Sequence, residues 1–114
     1  MILVSLTAAT ICFGGSCFPA LVGYQTPVGT YTLTLRMTEQ RGYGGDVLQY
    51  VEGKDRIMAI HRLWLLNPEQ KREIRIHSRR VEDHFITNGC INIEPEVYEK
   101  LKNCCSGEPL VITR

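Results

Sequence analysis

Covalent chemistry in this sequence concentrates in one short run, "FITNGCINIEP" from Phe85 to Pro95, where Cys90 stands between a glycine and an apolar, strand-like segment. A cysteine used for acyl transfer needs a base to take its proton and backbone donors aimed at the developing oxyanion. Gly89 lets the main chain approach a substrate closely, which makes the N–H groups of Gly89 and Cys90 candidate donors. His61, His77 and His84 are the available bases. His61 leaves the end of the apolar run "RIMAIHRLW", and a rigid strand holds a side chain better than a loop does. Position therefore favours His61, with His84 as the alternative. A structural role is the competing interpretation, because free cysteine is among the most buried residue types. A metal site built from His77, His84 and Cys90 is disfavoured, since the spacings fit no common ligand pattern and no Cys-x-x-Cys pair occurs.

The other four cysteines, in a total of five, have different prospects. Cys12 and Cys17 flank "FGGS", and a hairpin there brings them within disulfide reach. Cys104 and Cys105 are adjacent and are expected to be poor partners for each other. Lys and Arg total 13 against 12 Asp and Glu, a formal charge of +1 that supplies no overall attraction to nucleic acid or membrane. Positive charge does collect locally at Arg62, Lys71, Arg72, Arg75, Arg79 and Arg80. With Glu69 and Glu73 interleaved this resembles a solvated helix face; the alternative is that some of these arginines hold substrate carboxylates. Without interleaved aromatics it is a poor nucleic-acid surface. The glycine-rich "RGYGGD" is followed by no Gly-Lys-Ser/Thr and opens no helix, so it is expected to be a mobile loop and a candidate lid, not a nucleotide cradle.

The elements that must position these groups are mostly short strands. A chain of 114 residues is expected to form one domain, residues 1–114, with a single core. The opening run, Ile2 to Phe13, reads as a β-strand in preference to a signal segment, because no Lys or Arg precedes it. It pairs in expectation with Phe18 to Val22 around Gly14-Gly15. "QTPVGTYTLTLRM" predicts a turn and then one alternating strand with Tyr31, Leu33, Leu35 and Met37 on its core face. Val47 to Val51 and Ile57 to Ile60 read as further strands. Asn67-Pro68-Glu69 predicts a helix from Pro68 to about His77. Glu94-Pro95-Glu96 opens a second, with Val97, Leu101 and Cys104 or Cys105 on one face and an end near Ser106-Gly107. "PLVIT" is the closing strand. No stretch is apolar for long enough to span a bilayer, and a soluble protein is expected.

Taken in order, these motifs resemble the L,D-transpeptidase (YkuD-type) catalytic domain. "TPVGTYTL" is similar to that family's Thr-Pro-x-Gly-x-Phe/Tyr turn and strand. Thr87, Gly89, Cys90, Ile91 and Asn92 match the second half of its Ser/Thr-His-Gly-Cys signature, and "EPLVITR" is similar to its last strand. The likeness runs from about Ala20 to Thr113, and the segment between His61 and Cys90 matches a subgroup with a long spacer. Asn88 departs from the family pattern, which has histidine there, and this leaves His61 with more of the work and keeps His84 as an alternative base.

The resemblance implies an α+β, predominantly β fold: a β-sandwich of mixed sheets, with two short helices flanking the active-site loop. It implies Cys90 as nucleophile, His61 as general base, Thr87, Asn88 and Gly89 shaping the oxyanion side, and Asn92 bracing the loop. Arg62, Tyr43, Arg79 and Arg80 become candidates for substrate binding, and a His61 imidazolium is expected to stabilise the Cys90 thiolate as an ion pair. The implied substrate is a peptidoglycan stem peptide, opened at the L-centre of a diamino acid with loss of D-Ala. The acyl group passes to an amine, a D-amino acid or water, with no metal or organic cofactor and no nucleic-acid partner. A monomer acting in the periplasm or after secretion is expected, by an export route the sequence does not reveal. The rival is a cell-wall-binding module with the same fold and no catalysis.

Overall fold

The computed structural model describes residues 1–54 and 56–114. Two mixed sheets share the strands. The first has five, in the order β3 (Ser16–Pro19), β2 (Thr10–Phe13), β1 (Ile2–Ser5), β9 (Leu110–Thr113), β4 (Gly29–Tyr31). The second has four, in the order β5 (Thr34–Met37), β6 (Asp46–Glu52), β7 (Ile57–Arg62), β8 (Ile91–Ile93). Ile2, Val4, Ile11 and Ile112 of the first sheet and Leu48, Ile60, Ile91 and Ile93 of the second are buried in one apolar cluster. β1, β2 and β9 alternate because the first sheet turns one face to that core, whereas β7 and β8 of the second are buried on both faces over most of their length.

The opening segment is sheet structure, with β1 held between β2 and β9. The single strand expected from Ile2 to Phe13 is instead two, turned back at Leu6 to Ala9, where Ala9 adopts a left-handed φ of 53°. The hairpin around Gly14-Gly15 forms as expected, and Cys12 lies opposite Cys17 and is bonded to it. Cys104 and Cys105 are also bonded, contrary to expectation, at the last turn of α2 (Pro95–Cys105).

Two further corrections bear on the site. The alternating strand expected from Tyr31 to Met37 divides: β4 belongs to the first sheet and β5 to the second, with Leu33 buried at the crossing. Leu35 and Met37, expected in the core, are 50% and 78% exposed because β5 is an edge strand with nothing packed over its end. The helix expected from Pro68 to His77 is broken. Asn67 caps as expected, accepting from the Glu69 N–H at 3.2 Å, but only a 3-10 turn follows (Pro68–Gln70) before Lys71 goes left-handed at φ 52°. A single turn, α1 (Arg72–Arg75), then completes the segment. With its apolar residues too few for a continuous buried stripe, this stretch lacks the packing that holds a short helix together. α2 has such a stripe in Val97, Tyr98, Leu101 and Cys105, each of which is buried.

Candidate active site

β7 and β8 run parallel with Ile60 opposite Ile91 and His61 opposite Asn92, which places Cys90 at the lip of β8 beside Ala59. The two chemically competent side chains therefore leave adjacent strands on the same face. Both line one cleft of about 470 Å³ with Tyr43, Gln49, Ile57 and Ala59. Cys90 is the only free cysteine among the described residues.

The loop before Cys90 is held from several directions. Ile86 and Thr87 both donate their N–H groups to the Val22 carbonyl, at 2.9 and 3.0 Å. Gly23 is pressed so close that a Cβ there would come within 2.0 Å of the Thr87 carbonyl oxygen. The turn in "TPVG" reaches the same loop: Thr26 Oγ1 and the buried Tyr50 hydroxyl donate to the Gly89 carbonyl at 3.1 and 2.7 Å. Thr87 Oγ1 donates to the Cys90 carbonyl at 2.6 Å and accepts from the Gly89 N–H at 3.2 Å. That N–H, expected to face a substrate oxyanion, is thus engaged within the loop. Gly89 itself is required, since φ is +130° and a Cβ would meet Met58 Cε at 2.7 Å. Asn88 is exposed at the tip, its carbonyl accepting from Arg56 at 3.1 Å.

His61 is 3% exposed and its two ring nitrogens face different partners. Nδ1 lies 2.7 Å from the Arg62 carbonyl, an acceptor, so Nδ1 carries the hydrogen. Nε2 lies 3.4 Å from Asn92 Nδ2. Asn92 is oriented in turn, because its Oδ1 accepts from the Trp64 N–H at 3.1 Å and from Arg72 Nη1 at 2.9 Å. Its amide N–H groups are left for His61, and Nε2 is the nitrogen with a lone pair. Arg72 is the site residue that sequence reasoning did not single out. Nothing in the basic run distinguishes it from its neighbours until α1 turns it toward Asn92.

Burial lowers His61 to about 4, assisted by the nearby Arg72 charge and opposed by the Arg62 carbonyl. Burial also raises the Cys90 thiol, against the lowering influence of the Ala59 N–H and Arg72. At neutral pH the resting pair is consequently a thiol and a neutral imidazole, not the ion pair expected from sequence. A low-dielectric site disfavours the charged form of both groups. Tyr43 packs its ring edge-on against His61 at 4.8 Å, and burial and the neighbouring Cys90 raise its phenol.

Of the remaining candidates, Arg62 points away from the cleft. It bonds Asp46 Oδ1 and the Tyr43 carbonyl, each at 3.0 Å, pairs with Glu99, and lies 4.2 Å over the Tyr98 ring. Burial pushes the Asp46 carboxyl up, but Lys102, Tyr98 and Arg62 outweigh it and hold the group below its ordinary value. The "RGYGGD" loop, expected to be a lid, is tied down at Tyr43 by Arg62 and packed at Gly42 against Trp64. His84 is buried with Nδ1 and Nε2 3.0 and 2.8 Å from the carbonyls of Ala20 and Ser78. It lines a separate cavity with Arg79, away from Cys90. Arg79 and Arg80 are exposed, and Arg80 pairs with Glu82 at 2.8 Å. His77, also exposed, sits 3.5 Å from Glu94.

Two sheets packed face to face, with a short helix on each side of the cysteine loop, make an L,D-transpeptidase-like β-sandwich. Mycobacterium tuberculosis L,D-transpeptidase 1 matches all of this chain and 61% of its own, at TM-score 0.56 and 17% identity. Bdellovibrio bacteriovorus Bd1075 matches 98% of this chain and 46% of its own, at TM-score 0.60 and 16% identity. At that identity the likeness is one of fold, and the chain spans roughly half to three fifths of the length of these structures. No protein-family model and no curated protein matches the chain.

Proposed function

We propose that residues 1–114 form one catalytic domain that opens peptidoglycan stem peptides through a Cys90 thioester. The observation that carries this is the shared cleft: a free thiol and a histidine with a directed lone pair, on adjacent strands of an L,D-transpeptidase-like fold. Cys90 Sγ attacks the carbonyl carbon at the L-centre of the diamino acid while its proton passes to His61 Nε2. The carbon–nitrogen bond to D-Ala then breaks, and the imidazolium returns the proton to the departing amine. An amine from a second stem attacks the thioester, the thiol leaves, and His61 again carries the proton between them.

Because both resting groups are neutral, His61 acts as a base during attack and does not hold a preformed thiolate. The cost of thiolate formation is met only when the carbonyl is in place, which protects the sulfur from wasteful reaction. Arg72 supports the step through Asn92, which keeps Nε2 free of a hydrogen. Thr87 and Gly89 hold the loop in register, while the Cys90 N–H remains the candidate oxyanion donor. This chemistry calls for no metal or organic cofactor. It also requires access to the cell wall, so the site of action is the periplasm or beyond the secreting cell. No described helix is long and apolar enough to cross a membrane.

The test is mass spectrometry of a disaccharide-tetrapeptide incubated with the protein and with Cys90→Ala. Loss of D-Ala with dimer formation, absent in the variant, is the expected result, and loss without dimer marks a carboxypeptidase. An unchanged substrate beside a titratable Cys90 thiol replaces this proposal with a wall-binding module.

A further inference from the structure

The cleft holds polar groups that acyl transfer leaves unused. On β5, β6 and β7 the register aligns Thr34, Gln49 and Ala59, and the parallel pairing of β7 with β8 continues that row to Cys90. Aligned residues share a face, so only the methyl group of Ala59 stands between Gln49 and the sulfur. Two strand spacings separate them by about 10 Å at Cα. Gln49 is 8% exposed and lines the cleft, and its carboxamide makes no hydrogen bond among the described residues. No described side-chain nitrogen or oxygen is both sealed from solvent and unpartnered, so this amide opens into the cleft. An amide that opens into a cleft without a protein partner is free to bond a ligand in place of water.

Over the same face Arg36 of β5 reaches Glu52 of β6 through one contact of 3.4 Å, with side chains 52% and 66% exposed. Both line the cleft. A single-point pair this exposed is weak and opens at little cost. The wall across from Cys90 therefore presents a cation, an anion, and an amide able both to donate and to accept.

We propose that Arg36, Gln49 and Glu52 form a subsite for the zwitterionic head of an α-amino acid. The guanidinium takes the carboxylate, Glu52 takes the ammonium, and Gln49 bonds between them, displacing the weak Arg36–Glu52 contact. This inference rests on the stem-peptide reading. There the head is the side-chain end of the diamino acid whose other end is attacked.

The experiment measures D-Ala release by the whole chain from three tetrapeptide stems: meso-diaminopimelate, the same residue amidated at its side-chain carboxylate, and lysine. Exchange with free D-methionine is measured in parallel. Wild type is compared with Gln49→Leu, Arg36→Gln and Glu52→Gln; the last two alter exposed groups and keep the test open if Gln49→Leu fails to fold. The expected result is a fall of about tenfold or more in kcat/KM on the diaminopimelate stem for each variant, with the lysine stem, which keeps the ammonium and lacks the carboxylate, little changed by Arg36→Gln but slowed by Glu52→Gln. Arg36→Gln should also lose the distinction between free and amidated carboxylate. A loss confined to D-methionine exchange overturns the subsite as placed, because that amine has to reach the Cys90 thioester. An active wild type whose variants treat every stem and D-methionine as it does overturns the subsite alone. A wild type inactive on all stems overturns the stem-peptide reading and the subsite with it.

Discussion

His61 and His84 are buried almost equally, at 3% and 5% exposure, yet their surroundings prepare them for different work. Both nitrogens of His84 face backbone carbonyls, so its ring is a bracket between Ala20 and Ser78. His61 has one carbonyl partner, while its second nitrogen meets an amide donor at the long distance of 3.4 Å, beside a cleft that also contains a thiol. Under the proposed function, what suits His61 rather than His84 to reaction is a second nitrogen held only by a long contact, beside a cleft that also contains a thiol.

That contrast is broken most directly at the chemistry. Cys90→Ala should abolish D-Ala release in the mass-spectrometric assay while leaving the thermal unfolding midpoint close to wild type. His61→Ala should cut turnover by about 100-fold or more, as loss of a general base does. His84→Ala should do the reverse, costing about 1–3 kcal/mol in urea unfolding by removing the buried ring that bridges the Ala20 and Ser78 carbonyls, with turnover per folded molecule nearly intact. If His84→Ala removed activity from folded protein and His61→Ala did not, the roles would be exchanged.

Acid should act through His61 as well. His61 titrates at about 4 in the folded chain against an ordinary 6.5, so the unfolded chain binds more protons between those values. Folded stability should therefore decline as pH falls from about 6.5 to about 4, by about 3 kcal/mol at most from this group, and gain nothing from it above that window. The difference between wild type and His61→Gln in urea unfolding at pH 7 and pH 4.5 isolates the effect. From about pH 5 upward, alkylation of Cys90 by iodoacetamide should climb steadily into alkaline pH. A plateau between pH 5 and pH 8 would reveal the ion pair that burial argues against.

A finer perturbation is Arg72→Gln, which removes a charge near both groups and one anchor of Asn92. Turnover should drop about tenfold, and the pH profile of Cys90 alkylation should move upward, since a positive neighbour lowers a thiol. Arg72→Lys should restore the profile better than the rate, because it keeps the charge and loses the guanidinium geometry. The smallest effect belongs to Arg79→Gln with Arg80→Gln, whose exposed side chains lie outside the Cys90 cleft. Neither D-Ala release nor the unfolding midpoint should change measurably.

Much of this arrangement was legible in local chemistry. Gly14-Gly15 can turn a hairpin, "IMAI" reads as a strand, of which Met58, Ala59 and Ile60 are buried, and Asn67 and Pro95 announce helix starts. Hydrophobic patterning failed where two sheets exchange strands. Tyr31 to Met37 alternates like one element, but the chain crosses between sheets at Leu33, and alternation carries no record of which sheet a residue joins. The basic run failed for a related reason. Without a buried stripe to propagate it, the segment from Pro68 breaks at Lys71, and the break decides that Arg72 turns inward while Arg79 and Arg80 stay in solvent.

By itself the sequence determined most of the short strands and turns, and that a glycine-preceded cysteine and a histidine at a strand end were both present, because these depend on residue type and nearest neighbours. Only the tertiary structure decided that His61 and Cys90 share a cleft, that Arg72 orients Asn92, that His84 is spent on two carbonyls, and that Gln49 remains unspent. Those outcomes depend on strand register and on which groups burial brings together, and residues far apart in the chain settle both.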